Sequence, residues 1–365
     1  MHYKTFLAIS FLFFCQLSLA NNTQSLQKAL EKARIENHVI GMQMTVILPN
    51  EEKITVTSGN TEKNQDVAIR SNTLFQIGSE TKSFTAALLL KLEQQGKLKL
   101  TDTLVKYLPY YKQWSKVTLQ QLLQNNSGIP NYSEDAGFQK LIQEKPDYQW
   151  QSPELIAFAA KQPMDFEPGK GWHYSNTNFI LAGMVAEKVT GQTLENLYKI
   201  NFLDKSALDL SSTYYLPTSY DLVFLARMAH GYDEQNKDIT TMNMSWAGAA
   251  GAMVSNSTDL AKWAFDLFHG RAIAESELQK MMQLVSTTTG LPVVQEDKEG
   301  YGMGIGMRTT EKFGKWYGHE GETLGYHAIF LWFPESDLTV AILANGPATK
   351  LKDFAITVPG LLSNK

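Results

Sequence analysis

The sequence predicts an α+β protein: an antiparallel sheet flanked by N- and C-terminal helices, with an all-helical subdomain inserted between the strands. Three observations predict it. Residues 40–48 and 53–58 alternate apolar and polar side chains and are separated by the turn Pro49-Asn50-Glu51-Glu52, which reads as a hairpin. After Gly300 the period is again two, over residues 301–307, 315–318, 326–333 and 338–345. Between Gly96 and Trp246 the spacing is mostly helical. Strands at both ends with helices between them imply one sheet built from both parts of the chain. Residues 21–78 and 246–365 are expected to carry the sheet and 79–245 the helical subdomain, with a cleft at the junction.

Taken in order, the first twenty residues read as a secretory leader. His2 and Lys4 supply positive charge, residues 6–15 are apolar, and Ser18-Leu19-Ala20 is a small-x-small site with cleavage expected after Ala20. Leu12-Phe13-Phe14 before Cys15 is too bulky for a lipoprotein signal. The apolar run is too short to span a bilayer, and no later run is long enough. The mature chain is thus expected to be periplasmic or secreted. Its only cysteine leaves with the leader, which excludes disulfides, thiol chemistry and Cys-ligated metal. A net charge of −4 without basic clusters argues against a nucleic-acid partner.

Residues 25–36 have the period of a surface helix. Residues 73–90 follow the hairpin and read as a turn entering a helix that is apolar nearly all round from Phe84 to Leu90, hence buried. Ser79 stands at the start of this helix, and Lys82 lies on the same face three residues on. Further helices are expected over residues 178–190, 194–202, 219–230 and 258–269, linked by loops rich in Asn, Gly and Pro at 125–130 and 167–171. No repeat or low-complexity segment occurs.

A serine hydroxyl needs a nearby proton acceptor to become a nucleophile, and a lysine serves only when burial or neighbouring cations depress its pKa. Ser-x-x-Lys occurs twice, since Ser25 and Lys28 fit it too, but only Ser79 opens a buried helix. Gly300-x-Gly302-x-Gly304-x-Gly306 has period two and no helix after it, so it is read as one face of a strand and not as a dinucleotide fingerprint. His319-Glu320-Gly321-Glu322 lacks the second histidine of a zinc-protease motif, because Thr323 is there. His38, His173, His230, His269 and His327 show no ligand spacing, and no Gly-x-Ser-x-Gly elbow occurs. Tyr174-x-Asn176 places a phenol and an amide on a loop before a helix. A phenol near cations loses its proton more easily, and Asn176 could hold a substrate amide. His319-x-Gly321 falls on or beside an inner strand, where Gly321 permits close approach.

The ordered set Ser79-x-x-Lys82, Tyr174-x-Asn176, His319-x-Gly321 resembles the penicillin-recognising serine hydrolases, in the branch holding class C β-lactamases, D-Ala-D-Ala carboxypeptidases, D-aminopeptidases and related esterases. The resemblance covers nearly the whole mature chain and implies the β-lactamase/DD-peptidase-like form of the α+β fold. It implies Ser79 as nucleophile, Lys82 as its proton acceptor or charge holder, and Tyr174 as proton carrier to the leaving group and in deacylation. Asn176 would orient the substrate amide, and His319 stands where many relatives carry lysine. The backbone N–H groups of Ser79 and Glu322 would form the oxyanion hole beside Gly321.

Two departures bear on substrate. Relatives that bind carboxylate-ended substrates carry hydroxyl residues near the third motif, whereas this chain has Glu320 and Glu322, which share a strand face. Either they repel a substrate carboxylate and favour neutral or amine-bearing acyl groups, or they are a solvated pair pointing away. With histidine in place of lysine, the positive charge of the site is expected to titrate near neutrality. The resemblance implies a serine hydrolase working through an acyl-enzyme without metal or cofactor, on a small peptide, ester or β-lactam, peptidoglycan fragments included. D-Ala-D-Ala carboxypeptidase chemistry is the first expectation, followed by D-aminopeptidase or esterase and then β-lactamase activity. The non-enzymatic rival is a catalytically silent sensor of peptidoglycan or β-lactams.

Overall fold

The computed structural model describes the backbone of residues 3–362 and the side chains of residues 19–362. Strands β1 (Gly41–Ile47) and β2 (Lys53–Gly59) form the expected hairpin. Strands β3 (Phe75–Gln76), β4 (Tyr214–Tyr215) and β5 (Met253–Ser255) make a small second sheet, in the order β3-β5-β4. Strands β6 (Val285–Ser286), β7 (Glu299–Tyr301), β8 (Gly306–Thr310), β9 (Gly314–Thr323), β10 (Tyr326–Phe333) and β11 (Leu338–Ala344) join the hairpin. The main sheet is antiparallel throughout and runs β2-β1-β11-β10-β9-β8-β7-β6, so strands from the two ends of the chain meet where β1 pairs with β11.

Each face of this sheet is covered by helix. On the outer face lie α1 (Tyr3–Glu36), whose Leu26 and Leu30 are fully buried, and near the C-terminus Leu351 and Val358 of two short helices. Residues 1–20, expected as a leader, fall partly on α1 and partly outside the described residues; among those described, no helix is long and apolar enough to cross a membrane. On the inner face, α2 (Thr81–Gln94) packs against α3 (Asn176–Thr190) and against α4 (Ser257–Phe268), where Phe84 stacks on Trp263 at 3.7 Å. Every residue of α2 from Thr81 to Leu90 is buried, as its uninterrupted apolar run requires. Each such leucine or phenylalanine contributes about 1.5–3 kcal/mol relative to exposure. One continuous core joins these helices to Phe330 and Leu343 of the sheet and holds the start of α2 against β9.

Two stretches differ from expectation. Residues 301–307 are not one strand: the chain leaves β7 at Tyr301 and re-enters the sheet at Gly306. Between them Gly304 has φ +69°, and a Cβ there would come within 2.6 Å of the Lys82 carbonyl. The alternating glycines therefore serve a close crossing over α2, and they do not share a strand face. Residues 219–230 contain only the single turn Leu222–Leu225. The backbone beyond it is taken by Leu74, which donates to the Arg227 carbonyl at 2.8 Å and accepts from the Ala229 N–H at 2.9 Å. A long-range ladder replaces the helical hydrogen bonds.

Candidate active site

The turn Gly78–Glu80 precedes α2 and carries Ser79. Gly78 has φ +50°, and a Cβ on it would meet the Glu322 backbone nitrogen at 2.7 Å, so glycine is required on both grounds. Gly321 is required for the same approach from the other side, since a Cβ there would lie 1.9 Å from the Ile77 carbonyl oxygen. Together they place the backbone of Ser79 beside that of Glu322. Thr81 fastens the turn by donating to the Gly78 carbonyl at 2.7 Å, and Ser83 by donating to that of Glu80 at 2.7 Å.

Lys82, on the first turn of α2, is fully buried. Its Nζ lies 2.8 Å from Ser79 Oγ and 2.8 Å from the Ala250 carbonyl. Burial pushes the amine well below the ordinary lysine range, against the opposing pull of Glu80. Glu80 is also fully buried. Burial and the neighbouring Glu320 hold its carboxyl well above the usual range, and the Phe330 N–H at 3.1 Å and Lys82 oppose this only in part. Both groups are driven toward neutrality, and an uncharged amine has the lone pair that a serine proton needs.

Tyr174 hydrogen-bonds Ser79, and its ring centroid lies 4.7 Å from Lys82 Nζ. The Asn-rich loop holds this segment in place. Asn125 Oδ1 accepts from the Ser175 N–H at 3.2 Å, and Asn131 Oδ1 from the Asn176 N–H at 3.1 Å. The Tyr174 phenol is expected from sequence to ionise easily. Burial instead raises its pKa, with Glu80 and Glu320 adding to the effect and the Ser79 hydrogen bond opposing it. Asn176 is close by at the start of α3, and its Nδ2 donates to Ser133 Oγ at 2.9 Å.

His319 faces Tyr174, with ring centroids 6.1 Å apart. Its Nδ1 lies 2.6 Å from the Glu320 carbonyl, which can only accept, so this nitrogen carries the proton. Nε2 then accepts from the Tyr301 hydroxyl at 2.9 Å. Burial, and after it the Lys82 amine, push the imidazole down to about 3, against the Glu320 carbonyl contact. The expected titration of His319 near neutrality is therefore corrected: both nitrogens are partnered as in the neutral ring, and the site carries no cation there. Tyr301, which sets this state, is a residue the motifs do not reveal; it lies inside the rejected glycine run, between Gly300 and Gly302.

Glu320 and Glu322 alternate with His319 along β9, and both line a cavity of about 370 Å³ with Ser79, Tyr174 and His319. Glu320 is not free, because Lys352 pairs with it at 2.8 Å. Glu322 is exposed and lies opposite His327 in the β9–β10 register. The pair thus stands at the cavity with one charge compensated, between the two alternatives read from sequence. All the sequence-derived positions, Ser79, Lys82, Tyr174, Asn176, His319, Glu320, Gly321 and Glu322, converge on this junction. Among the described residues no group of His, Cys, Asp and Glu is arranged to hold a metal ion.

A family model named Beta-lactamase matches residues 26–357. The chain is 23% identical over 333 residues to Protein flp of Staphylococcus aureus (strain COL), covering 89% of this chain but 63% of that protein, so it spans under two thirds of that relative's length. A D-stereospecific amidohydrolase from Streptomyces sp. superposes with a TM-score of 0.80 and 29% identity, covering 92% of this chain and 97% of that one. The D-amino acid amidase from Ochrobactrum anthropi SV3 shares the fold, with a TM-score of 0.81, 24% identity, and coverage of 94% and 99%.

Proposed function

Since the chain belongs to the beta-lactamase family, a family of serine hydrolases, amidases and peptidases, we propose that it hydrolyses aminoacyl amides or short esters through an acyl-enzyme on Ser79. The observation that carries this reading is the buried Lys82 amine, 2.8 Å from Ser79 Oγ, whose pKa burial lowers. In the proposed reaction Ser79 Oγ bonds to the substrate carbonyl carbon and gives its proton to Lys82 Nζ. The carbonyl oxygen takes the negative charge between the N–H groups of Ser79 and Glu322. One such donor is worth about 10²–10³ in rate. As the carbonyl re-forms, the bond to the leaving amine or alkoxide breaks. Tyr174 passes its proton to the leaving atom and is reprotonated from Lys82. Water then repeats the sequence in reverse roles and frees the acid.

Charge at the leaving-group side supports amides and esters over substrates with a free carboxylate. His319 is neutral, Arg308 is paired with Glu299 at 3.3 Å, and Lys352 with Glu320. No unpaired cation among these awaits the terminal carboxylate of a D-Ala-D-Ala peptide or a β-lactam. The carboxypeptidase and β-lactamase readings therefore rank behind the amidase and esterase one, which the amidohydrolase relatives also favour. A silent sensor would have no use for a buried lysine held against the serine. We place the protein in the periplasm or outside the cell, on the leader-like residues 1–20.

The test is a matched comparison of D-alanine amide, p-nitrophenyl acetate and a D-Ala-D-Ala peptide, on the wild type and Ser79→Ala, with fluorophosphonate labelling followed by intact mass. Labelling and turnover by the wild type alone, with amide or ester ahead of peptide, support the reading. Preference for the free-carboxylate peptide refutes the substrate assignment, and equal labelling of Ser79→Ala refutes the nucleophile.

A further inference from the structure

His173 has no ligand spacing in the sequence, yet it stands directly before Tyr174. Its ring lies between two carboxylates from different segments. Nδ1 is 2.6 Å from Asp165 Oδ2, and Nε2 is 3.3 Å from Glu134 Oε2. An ionised carboxylate can only accept, so both ring nitrogens must carry a proton for both contacts to hold. His319 is the reverse case, since its two nitrogens meet one acceptor and one donor. The segments on either side are pinned to the Asn-rich loop: Asp165 donates its N–H to the Gly128 carbonyl at 2.9 Å, and His173 donates its own to that of Asn125 at 3.0 Å.

From Glu134, which ends the turn Tyr132–Glu134, the contacts run on to the other end of the Tyr174-x-Asn176 motif. Glu134 Oε1 accepts from Asn131 Nδ2 at 3.1 Å. Asn131 Oδ1 accepts from the Asn176 N–H at 3.1 Å and from Ser133 Oγ at 2.9 Å. Ser133 Oγ in turn accepts from Asn176 Nδ2 at 2.9 Å, which sets the direction of that amide. The circuit from His173 through Glu134 and Asn131 to Asn176 closes along the main chain of residues 175 and 174. It encloses the backbone that presents Tyr174 to Ser79.

The charge on the ring holds this circuit together. Asp165 and Glu134 are the charged groups that face it, and among the described residues neither pairs with another cation. Burial draws the His173 pKa down, but the Asp165 hydrogen bond and the charge of Glu134 outweigh it and leave the value above the ordinary 6.5. The contribution of these pairs is therefore complete below about 6.5 and is lost as pH rises through the folded value. A neutral ring keeps one N–H for Asp165 at the shorter contact and turns a lone pair toward Glu134.

We propose that His173 is a positioning residue: as an imidazolium it clasps Asp165 to Glu134 and so holds Tyr174 at Ser79 and Asn176 in its substrate-binding orientation. Loss of its proton releases the Glu134 arm and slackens both ends of the motif without altering any reacting group. The inference rests on the hydrolase reading and adds to it a control of the reaction from outside the cavity.

The test measures kcat/KM for D-alanine p-nitroanilide from pH 5.5 to 9.5 in the wild type, His173→Gln and His173→Arg. Lys82 shapes all three profiles alike, so the ratio of each variant to the wild type isolates the clasp. The wild type is expected to exceed His173→Gln by about two- to fivefold at the acid end, the range of partly exposed ion pairs, and to converge with it at the alkaline end. His173→Arg keeps its charge and has a fork that can reach two carboxylates. It should match the wild type in acid and exceed it in alkali. Ratios that do not change with pH, as a histidine of purely structural use gives, overturn the proposal. Nitrogen-15 spectra of the Ser79→Ala protein read the clasp without turnover: the Asn176 amide signals should follow the His173 titration, and Glu134→Gln should move that titration to lower pH while still accepting from Asn131. Asn176 signals indifferent to His173 overturn the clasp. Absence of wild-type turnover with Asn176 still following His173 overturns the hydrolase reading and leaves the clasp standing.

Discussion

The Tyr301 hydroxyl donates to His319 Nε2 at 2.9 Å, while Nδ1 of the same ring meets the Glu320 carbonyl at 2.6 Å. The imidazole is thereby held as one neutral tautomer, with its plane fixed between β7 and β9.

The ring should therefore stay uncharged across the neutral range. Nitrogen-15 shifts of His319 are expected to remain those of the Nδ1–H form from pH 8 to 5, and a titration near 6.5 would refute this. The folded value is pushed to about 3, so the unfolded chain takes up a proton below about 6.5 that the folded chain does not. The contribution to stability is complete above that pH and is lost as pH falls toward 3, at up to about 1.4 kcal/mol per unit. Tyr301→Phe leaves Nε2 without a donor and should cost about 1–3 kcal/mol in urea unfolding.

Lys82 predicts the low-pH limb of activity. Its proton must be absent for Ser79 to react, and burial lowers its pKa, so kcat/KM should rise with pH through a value well below 10.5. Lys82→Arg keeps a charge that cannot be lost and should reduce kcat/KM by about 10²–10⁴ with the fold intact by circular dichroism.

Glu80 predicts an opposite stability trend. Its folded pKa lies above the ordinary 4.5, so between these values the folded chain keeps a proton that the unfolded chain has released. The stability it contributes is full below about 4.5 and is lost as pH rises through the folded value. Glu80→Gln retains an acceptor for the Phe330 N–H without this proton. The Tm of the variant relative to wild type should climb between pH 5 and 9; parallel Tm curves would show that Glu80 is ionised in place.

Gly321→Ala tests the approach of β9 to the catalytic turn. Its methyl would lie 1.9 Å from the Ile77 oxygen and 3.1 Å from Glu80 Cγ, so strand or turn must move. A loss of about 1–3 kcal/mol is expected, together with slower fluorophosphonate labelling of Ser79. Wild-type labelling and stability together would contradict the geometry.

The Lys352–Glu320 pair predicts selectivity. Glu320→Gln removes a carboxylate from the cavity and leaves Lys352 unpaired, so turnover of free-carboxylate peptides relative to amides should rise a few-fold, by about 1 kcal/mol of altered charge interaction. Lys352→Met should move the ratio the other way. No change in either variant would mean that the pair does not face substrate.

Much of this is legible along the chain because it is local. Ser79 and Lys82 are one helical turn apart, and the apolar run of α2 announces its burial. Residues 326–333 and 338–344 are strands as read, although they are apolar runs buried almost throughout and not alternating ones. The helix expected over residues 219–230 fails because Leu74, far away in the chain, claims the backbone of Arg227 and Ala229. The glycine run fails as a strand because Gly304 must cross against Lys82.

Residue order thus announces most of the elements, the α+β arrangement and the side chains that meet at the junction. Folding alone sets their surroundings: the lowered lysine and imidazole pKa values, the raised phenol pKa and the Lys352–Glu320 pairing. The reason is physical. A side chain's charge depends on how much water it keeps and which distant groups come within a few ångströms, and neither is encoded by its neighbours in sequence.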